Sequence, residues 1–253
     1  MKNLNLKTAV ITGGTKGIGA AIAGLFHSRG LHVVVGARRD NGFVRKLGKR
    51  AFFVKMDVRK EEGHGKLLQL ALKNTGRADV YVNCAGFSQW KSVEKITGPF
   101  LDEMLEVNLK GAFWGCRAAA RHMTKGGVII NISSLAGKRG SVHNAAYCMS
   151  KFGVTGLTQS LAKELGPRGI RVNAVCPAYV PTDGVLQALE EKYSPAEGGD
   201  VPAYLKAFAR TQAALQRLPT AREVAQLCWF LASDEASAIT GQSINVDCGV
   251  YPQ

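Results

Sequence analysis

Short runs of β-branched residues alternate with longer amphipathic stretches along the whole chain. This alternation is typical of a parallel sheet whose strands are joined by crossover helices. Several runs are apolar on both sides, as expected where helices cover both faces of the sheet. The predicted strands are Thr8–Ile11, His32–Val35, Ala51–Val54, Val80–Asn83, Val128–Ile132, Arg171–Val175 and Ser243–Val246. The sequence therefore predicts an α/β fold with a doubly wound, seven-stranded parallel sheet and helices on both faces.

The amphipathic stretches predict crossover helices at Ile18–Arg29, Glu61–Lys73, Phe100–Thr124, Ala145–Leu165 and Arg222–Leu231. A length of 253 residues and a hydrophobic content of 46% suit a single domain spanning 1–253. The stretch of about 178–218 lacks clear periodicity and contains three prolines and a Gly-Gly pair. Long irregular segments in compact domains usually serve a ligand site, so we expect an inserted substrate lid there.

The chain carries 33 basic and 19 acidic residues, a net charge of +14. This surplus favours anionic ligands, but the basic residues occur singly or in pairs, which argues against a nucleic-acid partner. The six cysteines lie far apart without a Cys-x-x-Cys pair, so no metal site is expected. With neither a signal peptide nor an apolar run long enough for a bilayer, we expect a cytoplasmic protein without a membrane partner.

A glycine-rich turn, Thr-Gly-Gly-Thr-Lys-Gly-Ile-Gly, follows the first predicted strand. Missing β-carbons let the backbone approach a pyrophosphate, and the next helix offers unpaired N–H groups and the positive end of its dipole. The spacing differs from G-x-G-x-x-G and from the P-loop. The alternative is a turn that only packs tightly. We expect phosphate contacts from Gly13, Thr15, Lys16, Gly17, Ile18 and Gly19.

The second predicted strand ends in Gly-Ala-Arg-Arg, without the acid that accepts the ribose 2′-hydroxyl of NAD. Arg38 can instead bind a 2′-phosphate with two N–H groups, and Lys16 can add a second positive charge. These residues predict NADP(H) as the cofactor. Two alternatives stay open: both are ordinary surface cations, or Asp40 is a displaced ribose acceptor.

Tyr147 and Lys151 lie four residues apart in a predicted helix, so they project from one face. A free phenol has a pKa of about 10, too high for efficient acid-base catalysis at neutral pH. A nearby ammonium favours the phenolate and lowers the pKa. Tyr147 would then exchange a proton with a carbonyl or an alcohol. A Tyr-x-x-x-Lys string alone is also common as a surface pair.

Several motifs occur in one order, and together the chain resembles the short-chain dehydrogenase/reductase family over essentially its whole length. The matching motifs are Thr12–Gly19, Asp57-Val58, Asn83-Cys84-Ala85-Gly86, Asn108, Ser134, Tyr147, Lys151 and Pro177–Thr182. The pattern is most similar to that of β-ketoacyl carrier-protein reductases. The resemblance implies a single-domain Rossmann fold and hydride transfer between NADP(H) and a carbonyl/alcohol pair.

Four residues resemble the catalytic set of the family. Tyr147 would be the general acid or base, and Lys151 would lower its pKa and hold the nicotinamide ribose. Ser134 would hydrogen-bond the substrate oxygen. Asn108 would kink its helix and position a water that links Lys151 to solvent. Alternatively, Asn108 caps a helix that begins at Leu109.

The remaining motifs imply further cofactor contacts. The Asp57-Val58 pair would contact the adenine, and the turn after the fourth strand would lie beside the cofactor. Thr182 would hold the nicotinamide carboxamide. These residues are Asp57, Val58, Asn83, Ala85, Gly86, Pro177, Val180 and Thr182, beside Tyr147 and Lys151. The chain departs from the family pattern at Cys84, Ala178 and Cys248, where the usual residues are asparagine, glycine and glycine.

Polar and aromatic residues occupy the positions that follow the strand ends where such proteins bind substrate. With Ser134, these are Gln89, Trp90, His143, Asn144 and Tyr179. They favour a small carbonyl or alcohol with further polar groups, such as a sugar, a polyol or a carrier-linked 3-oxoacyl thioester. Arg121, Arg168 and Arg171 would suit an acidic carrier protein.

Two other functions stay open. The first is an NAD(P)-dependent sugar or polyol dehydrogenase, and the second is a non-catalytic NADPH-sensing regulatory protein. The resemblance also implies a homotetramer built through the helices that contain Asn108 and Tyr147. The small residues Ala118–Ala120 would permit close packing there.

Overall fold

The computed structural model describes residues 7–124 and 126–252. It contains one parallel sheet in the order β3-β2-β1-β4-β5-β6-β7. The strands are β1 Thr8–Thr12, β2 His32–Ala37, β3 Ala51–Lys55, β4 Val80–Asn83, β5 Gly127–Ile132, β6 Ile170–Pro177 and β7 Ser243–Val246. The predicted doubly wound α/β fold with seven parallel strands is therefore confirmed.

Helices connect the strands and cover both faces of the sheet. They are α1 Gly17–Ser28, α2 Phe43–Leu47, α3 Glu61–Thr75, α4 Gly98–Leu105, α5 Gly111–His122, α6 Ala145–Leu165, α7 Asp183–Leu189, α8 Val201–Gln212 and α9 Ala221–Ala232. The direction of winding reverses between β1 and β4, which are neighbours in the sheet although β2 and β3 lie between them in sequence. Such a switch point opens a crevice at the carboxyl ends of the strands, where α/β proteins bind ligands.

Alternation along each strand divides the core between the two faces of the sheet. In β1, Ala9 and Ile11 pack into the cluster that contains Phe26 of α1 and Leu231 of α9. Val10 points the opposite way, into the cluster formed with α3, α5 and α6. These residues are fully buried. Because both faces are covered, the strands are apolar throughout, which explains their sequence pattern.

The predicted helix Phe100–Thr124 is interrupted. A π-helical turn at Glu106–Lys110 separates α4 from α5 and contains Asn108. Such turns insert one extra residue and are frequent at functional sites. The helical periodicity of the flanking segments masks this insertion, so the sequence pattern indicated one continuous helix.

The predicted lid region is not irregular throughout, since it contains α7 and α8. Its aromatic and aliphatic side chains form a separate cluster with Trp90, which includes Leu189 and Leu205. The side chain of Asp200 accepts a hydrogen bond from Ala203 N at 3.0 Å and caps α8. Prolines and glycines around these short helices obscured their periodicity in the sequence.

Within the described residues, no helix is both long enough and apolar enough to cross a membrane. The first six residues, on which the expectation about a signal peptide partly rests, lie outside the described residues.

Candidate active site

The glycine turn lies at the switch point and is tied to neighbouring strand ends. Gly13 N donates to Gly36 O at 2.7 Å, which fixes the turn against β2. Thr12 Oγ accepts hydrogen bonds from Cys84 N at 3.1 Å and from Ala85 N at 3.3 Å, which fixes the turn after β4. The carboxyl ends of β1, β2 and β4 are thereby held together.

Close backbone contacts explain the glycines. Gly13 and Gly17 have φ values of 68° and 54°, in the left-handed region that favours glycine. A Cβ on Gly13 would lie 2.8 Å from Ala85 Cα, and one on Gly19 would lie 2.3 Å from Gly13 O. Helix α1 has neither a side-chain N-cap nor an acidic residue in its first turn. Its first N–H groups can therefore receive an anion, so this turn fits a dinucleotide phosphate.

The charged residues of the loop after β2 differ in their contacts. Arg38 is exposed. Asp40 Oδ1 instead accepts a hydrogen bond from Gly42 N at 2.8 Å, within its own turn. Asn41 Nδ2 donates to Thr15 O at 2.8 Å and ties this loop to the glycine turn. Arg38 is therefore accessible after the end of β2, whereas Asp40 forms a hydrogen bond within its own turn.

Asp57 and Val58 follow β3 at the same edge of the sheet. The Asp57 carboxylate pairs with Arg59, whose Nη2 lies 2.6 Å from Oδ2. Hydrogen bonding to Arg59 lowers the pKa of Asp57, and the charge of Arg38 lowers it further. Asp57 therefore carries a charge near neutral pH and lies within the electrostatic reach of Arg38.

Tyr147 and Lys151 lie one turn apart on α6, as predicted. Lys151 Nζ is 5.6 Å from the centre of the Tyr147 ring. It also donates a hydrogen bond to Ile132 O, at the end of β5, at 2.9 Å. Ser134 follows the same strand, and its Oγ accepts from Ala136 N at 3.1 Å. The ends of β5 and α6 therefore bring together the predicted tyrosine, lysine and serine.

The pKa values in this cluster differ from the sequence expectation. Burial raises the pKa of Tyr147 to about 12, and hydrogen bonding with Ser134 opposes this shift. Burial lowers the pKa of Lys151 to about 8. We predicted that the ammonium would lower the tyrosine pKa, and that prediction is wrong for the protein alone. Loss of water around both groups disfavours their charged forms, and it is the largest cause of both shifts.

Asn108 lies in the π-helical turn and is 2% exposed. Its Oδ1 accepts from Phe87 N at 3.0 Å, and its Nδ2 donates to Phe87 O at 2.8 Å. A Cβ on Gly86 would lie 3.0 Å from Asn108 Oδ1 and 3.7 Å from Lys151 Nζ. Asn108 therefore fixes the loop after β4 next to the lysine. The alternative that its side chain caps a new helix is wrong, because these hydrogen bonds go to a different loop.

Asn83 begins a chain of buried amides across the sheet. Its Nδ2 donates to Asn131 Oδ1 at 2.9 Å, and Asn131 Nδ2 donates to Thr158 Oγ on α6 at 2.9 Å. These contacts join β4, β5 and the helix that contains Tyr147 and Lys151. A buried network of this kind fixes the relative position of its members. Asn83 thus helps to hold α6 in position against the ends of β4 and β5.

The end of β6 completes this side of the crevice. Pro177 and Val180 are buried. Thr182 is half-buried and immediately precedes α7. A Cβ on Gly17 would lie 3.5 Å from Thr182 Cγ2, so this threonine borders the glycine turn. The structure therefore brings the sixth-strand motif next to the predicted phosphate site.

The predicted substrate residues differ in exposure. Trp90 and Asn144 are each 5% exposed, and Trp90 packs against Tyr179 with ring centres 6.5 Å apart. Gln89 and Tyr179 are half-buried, whereas His143 is exposed and has a φ of 56°. Lys91 N donates to His143 O at 2.7 Å, which joins the loops after β4 and β5. Their contact with a substrate stays a prediction.

Sequence reasoning missed the aromatic residues that the region predicted to be a lid contributes. Phe208 packs against Tyr179 with ring centres 4.9 Å apart, and Tyr204 lies 6.1 Å from the same ring. The ring centre of Tyr193 lies 5.8 Å from that of His143. The i, i+4 spacing of Tyr204 and Phe208 was the available signal, because it places both rings on one face of a helix. Nothing in the sequence indicated which loop they would meet.

The fold and the residues at the carboxyl-terminal edge of the sheet define a Rossmann-type nucleotide-binding protein. A tyrosine, a lysine and a serine are gathered there beside the predicted phosphate turn. A family model described as enoyl-(acyl carrier protein) reductase matches residues 13–251. The chain belongs to the short-chain dehydrogenase/reductase family, whose members use nicotinamide cofactors, and it is an oxidoreductase of that family.

Relatives with different named substrates match the full length. A Streptomyces virginiae protein assigned as a ketoacyl reductase of the monensin polyketide synthase is 39% identical, over 96% of each chain. Glucose 1-dehydrogenase 2 of Bacillus subtilis is 34% identical, over 99% of this chain and 98% of the relative. The solved ligand-free structure of aldohexose dehydrogenase from Thermoplasma acidophilum superposes with a TM-score of 0.88 and 30% identity, covering 99% of this chain and 98% of that one.

Proposed function

We propose that this protein is an NADP(H)-dependent ketone reductase, or secondary-alcohol dehydrogenase, in which Tyr147 transfers the proton. The observation that carries the proposal is the placement of Tyr147, Lys151 and Ser134 at adjoining strand and helix ends beside the glycine turn. NADP(H), when bound, supplies or accepts the hydride. The protein supplies the proton and the hydrogen bonds to the substrate oxygen.

Each residue of the cluster has a separate role. Tyr147, whose pKa is raised to about 12, holds its proton at neutral pH and donates it to the substrate oxygen as negative charge develops there. Ser134 donates a second hydrogen bond to the same oxygen. Lys151 holds the nicotinamide ribose and stabilises the phenolate that remains. Asn108 fixes the loop after β4 and, through a water, connects Lys151 to solvent.

The cofactor binds along the edge from β3 to β6. Gly13, Gly17 and Gly19 would hold the pyrophosphate, and Arg38 would hold the 2′-phosphate. The exposed Arg38 after β2, where an enzyme that prefers NAD would carry an acid, supports NADP over NAD. The remaining contacts are those implied by the family resemblance: Thr15, Lys16, Ile18, Asp57, Val58, Asn83, Ala85, Gly86, Pro177, Val180 and Thr182.

The substrate is a ketone with further polar groups, and a 3-oxoacyl thioester fits best. The named ketoacyl reductase among the relatives supports this choice. The residues proposed to contact it, with Ser134, are Gln89, Trp90, His143, Asn144 and Tyr179. The glucose and aldohexose dehydrogenases among the relatives favour a sugar or polyol as the second candidate.

The test is a panel of acetoacetyl thioesters, simple ketones, aldohexoses and polyols, followed by NADPH or NADP absorbance. Turnover of the thioesters supports the first candidate, and turnover of sugars alone supports the second. Tyr147→Phe should lower kcat by about 10²- to 10⁴-fold, the usual contribution of a general acid. Binding of NADPH by the wild type without turnover of any compound would instead indicate a sensing protein.

A further inference from the structure

A buried histidine outside the proposed catalytic cluster contacts the loop that follows β3. His64 lies in the first turns of α3 and is fully buried. Its Nε2 is 2.9 Å from Val58 O, and its Nδ1 is 2.7 Å from Tyr81 Oη. Tyr81 is a fully buried residue of β4. The imidazole therefore bridges the centre of the sheet and the backbone of the loop.

The hydrogen bonds determine the state of the ring. A carbonyl oxygen only accepts, so Nε2 of His64 carries the proton and donates to Val58 O. Nδ1 must then accept, and the Tyr81 hydroxyl donates to it. Burial lowers the pKa of His64 and raises that of Tyr81, so both groups stay neutral near pH 7. A neutral ring with one defined tautomer is a directional donor to the loop.

The loop itself has little room to move. A Cβ on Gly111, the first residue of α5, would lie 3.0 Å from Val58 Cγ2 and 3.4 Å from Val58 O. A Cβ on Gly63 of α3 would lie 3.0 Å from the Met56 side chain and 3.4 Å from Asp57 O. Glycines on two helices thus let the loop lie close to both. Within that space, the His64 hydrogen bond sets the direction of the Val58 carbonyl.

The geometry points to His64 as a positioning residue for cofactor binding: through its hydrogen bond to Val58 O, with Tyr81 as the ring's second partner, it holds the loop in the conformation that receives the adenosine half of NADP(H). This inference rests on the proposed function, which places Asp57 and Val58 at the adenine. The histidine does not touch the cofactor or the reacting atoms. Its removal should therefore weaken binding of the adenosine half and spare the chemical step.

The experiment compares His64→Leu with the wild type by titrating NADPH, 2′,5′-ADP and nicotinamide mononucleotide. We expect the Kd of NADPH and of 2′,5′-ADP to rise by about five- to tenfold, the effect of one lost hydrogen bond. The Kd of nicotinamide mononucleotide, and kcat at saturating NADPH, should stay within about twofold. His64→Gln keeps an N–H donor for Val58 O and should restore most of the affinity for 2′,5′-ADP.

Thr75→Val is the matched control, at the other end of α3. It removes the hydrogen bond between Thr8 Oγ and Thr75 Oγ, which measures 2.8 Å. We expect this variant to lose stability while every Kd stays unchanged. If His64→Leu likewise lowers only the Tm, His64 is merely structural and the inference is overturned. The proposed function would survive that result.

Tyr81→Phe decides the question if His64→Leu does not fold. Loss of the hydroxyl releases Nδ1 of His64, so the ring is no longer held in the tautomer that donates to Val58. We expect the Kd of 2′,5′-ADP to rise by about threefold, because the hydrogen bond is weakened and not removed. An unchanged Kd in this variant overturns the inference. A wild-type protein that binds neither NADPH nor 2′,5′-ADP overturns the proposed function as well.

Discussion

At the scale of single residues, burial controls the charge states of Tyr147 and Lys151. Lys151 is 5% exposed, and its pKa is lowered to about 8. Its ammonium is still mostly protonated near pH 7, held by the carbonyl of Ile132. A buried charge of this kind costs folding free energy and is retained where function requires it.

Lys151→Met should therefore abolish activity and stabilise the fold. The pKa of Lys151 in the folded protein is about 8, below the unfolded value of 10.5. This difference lowers the free energy of unfolding of the wild type by about 3 kcal/mol at neutral pH. Removal of the Ile132 hydrogen bond offsets about 1 kcal/mol, which leaves a net gain of about 2 kcal/mol. The free energy of unfolding in urea at pH 7 measures this gain.

The gain should shrink as the pH rises from about 8 toward 10.5. Over that range the wild-type lysine loses its proton, so burying its side chain no longer costs the free energy of burying a charge. Lys163→Met is the control, since Lys163 is exposed on the same helix. That variant should change stability by no more than about 0.5 kcal/mol. Equal effects of the two substitutions would contradict the assignment of a buried, charged Lys151.

The preference between NADPH and NADH should also depend on a single residue, Arg38. Arg38→Asp places an acid at the tip of β2 and removes the proposed partner of the 2′-phosphate. We expect the ratio of kcat/KM for NADPH over NADH to fall by about 10- to 100-fold, the value of a charge-assisted hydrogen-bond pair. Arg39→Asp makes the same charge change one residue further on and should shift the ratio much less. A ratio unaffected by Arg38→Asp would remove this arginine from cofactor recognition.

At the scale of elements, the junction of β1 and α1 has no room for a side chain at Gly19. Gly19→Ala would place a Cβ 2.3 Å from Gly13 O, a backbone atom that cannot move without deforming the phosphate turn. We expect at least a tenfold loss of NADPH affinity, since the N–H groups that face the phosphates would be displaced. Fluorescence titration of NADPH measures the loss.

Gly24→Ala serves as the control on the same helix. The nearest atom to its added Cβ is Phe43 Cζ at 4.0 Å, so the methyl group fits without strain. Alanine should stabilise α1 by about 0.5–1 kcal/mol and leave NADPH affinity unchanged. Retained NADPH affinity in Gly19→Ala would show that the turn does not hold the phosphates.

At the scale of the whole molecule, helices α5 and α6 present an apolar surface to solvent. Phe113 is 40% exposed, and Met149 and Phe152 are each 46% exposed. Met149 and Phe152 are three residues apart and so lie on one face of α6, and exposed apolar side chains of this kind are typical of a protein-protein contact. We propose that this surface joins four copies of the chain, in line with the homotetramer implied by the family resemblance.

Phe152→Glu should therefore dissociate the assembly, because a carboxylate would be buried without a partner at the contact. Sedimentation velocity should show a smaller species than that of the wild type. Leu215→Glu is the control, since Leu215 is 62% exposed but lies outside α5 and α6. A wild-type protein that sediments as a monomer would disprove the tetramer.

The sequence by itself determined the strands, the main crossover helices and the motifs at the strand ends. These features depend on local periodicity and on residue identity, and β4 and β7 were predicted to the residue. The i, i+4 spacing predicted that Tyr147 and Lys151 share one helix face, and the family resemblance implied that Ser134 joins them beside the cofactor.

Only the tertiary structure decided the charge states and the supporting contacts. Burial sets the pKa values of Tyr147 and Lys151, and burial depends on how the helices pack over the strands. The bond of Asn108 to Phe87 joins residues 21 apart, and that of His64 to Tyr81 joins residues 17 apart. Sequence periodicity carries no information about such distances, because they result from the packing of complete elements.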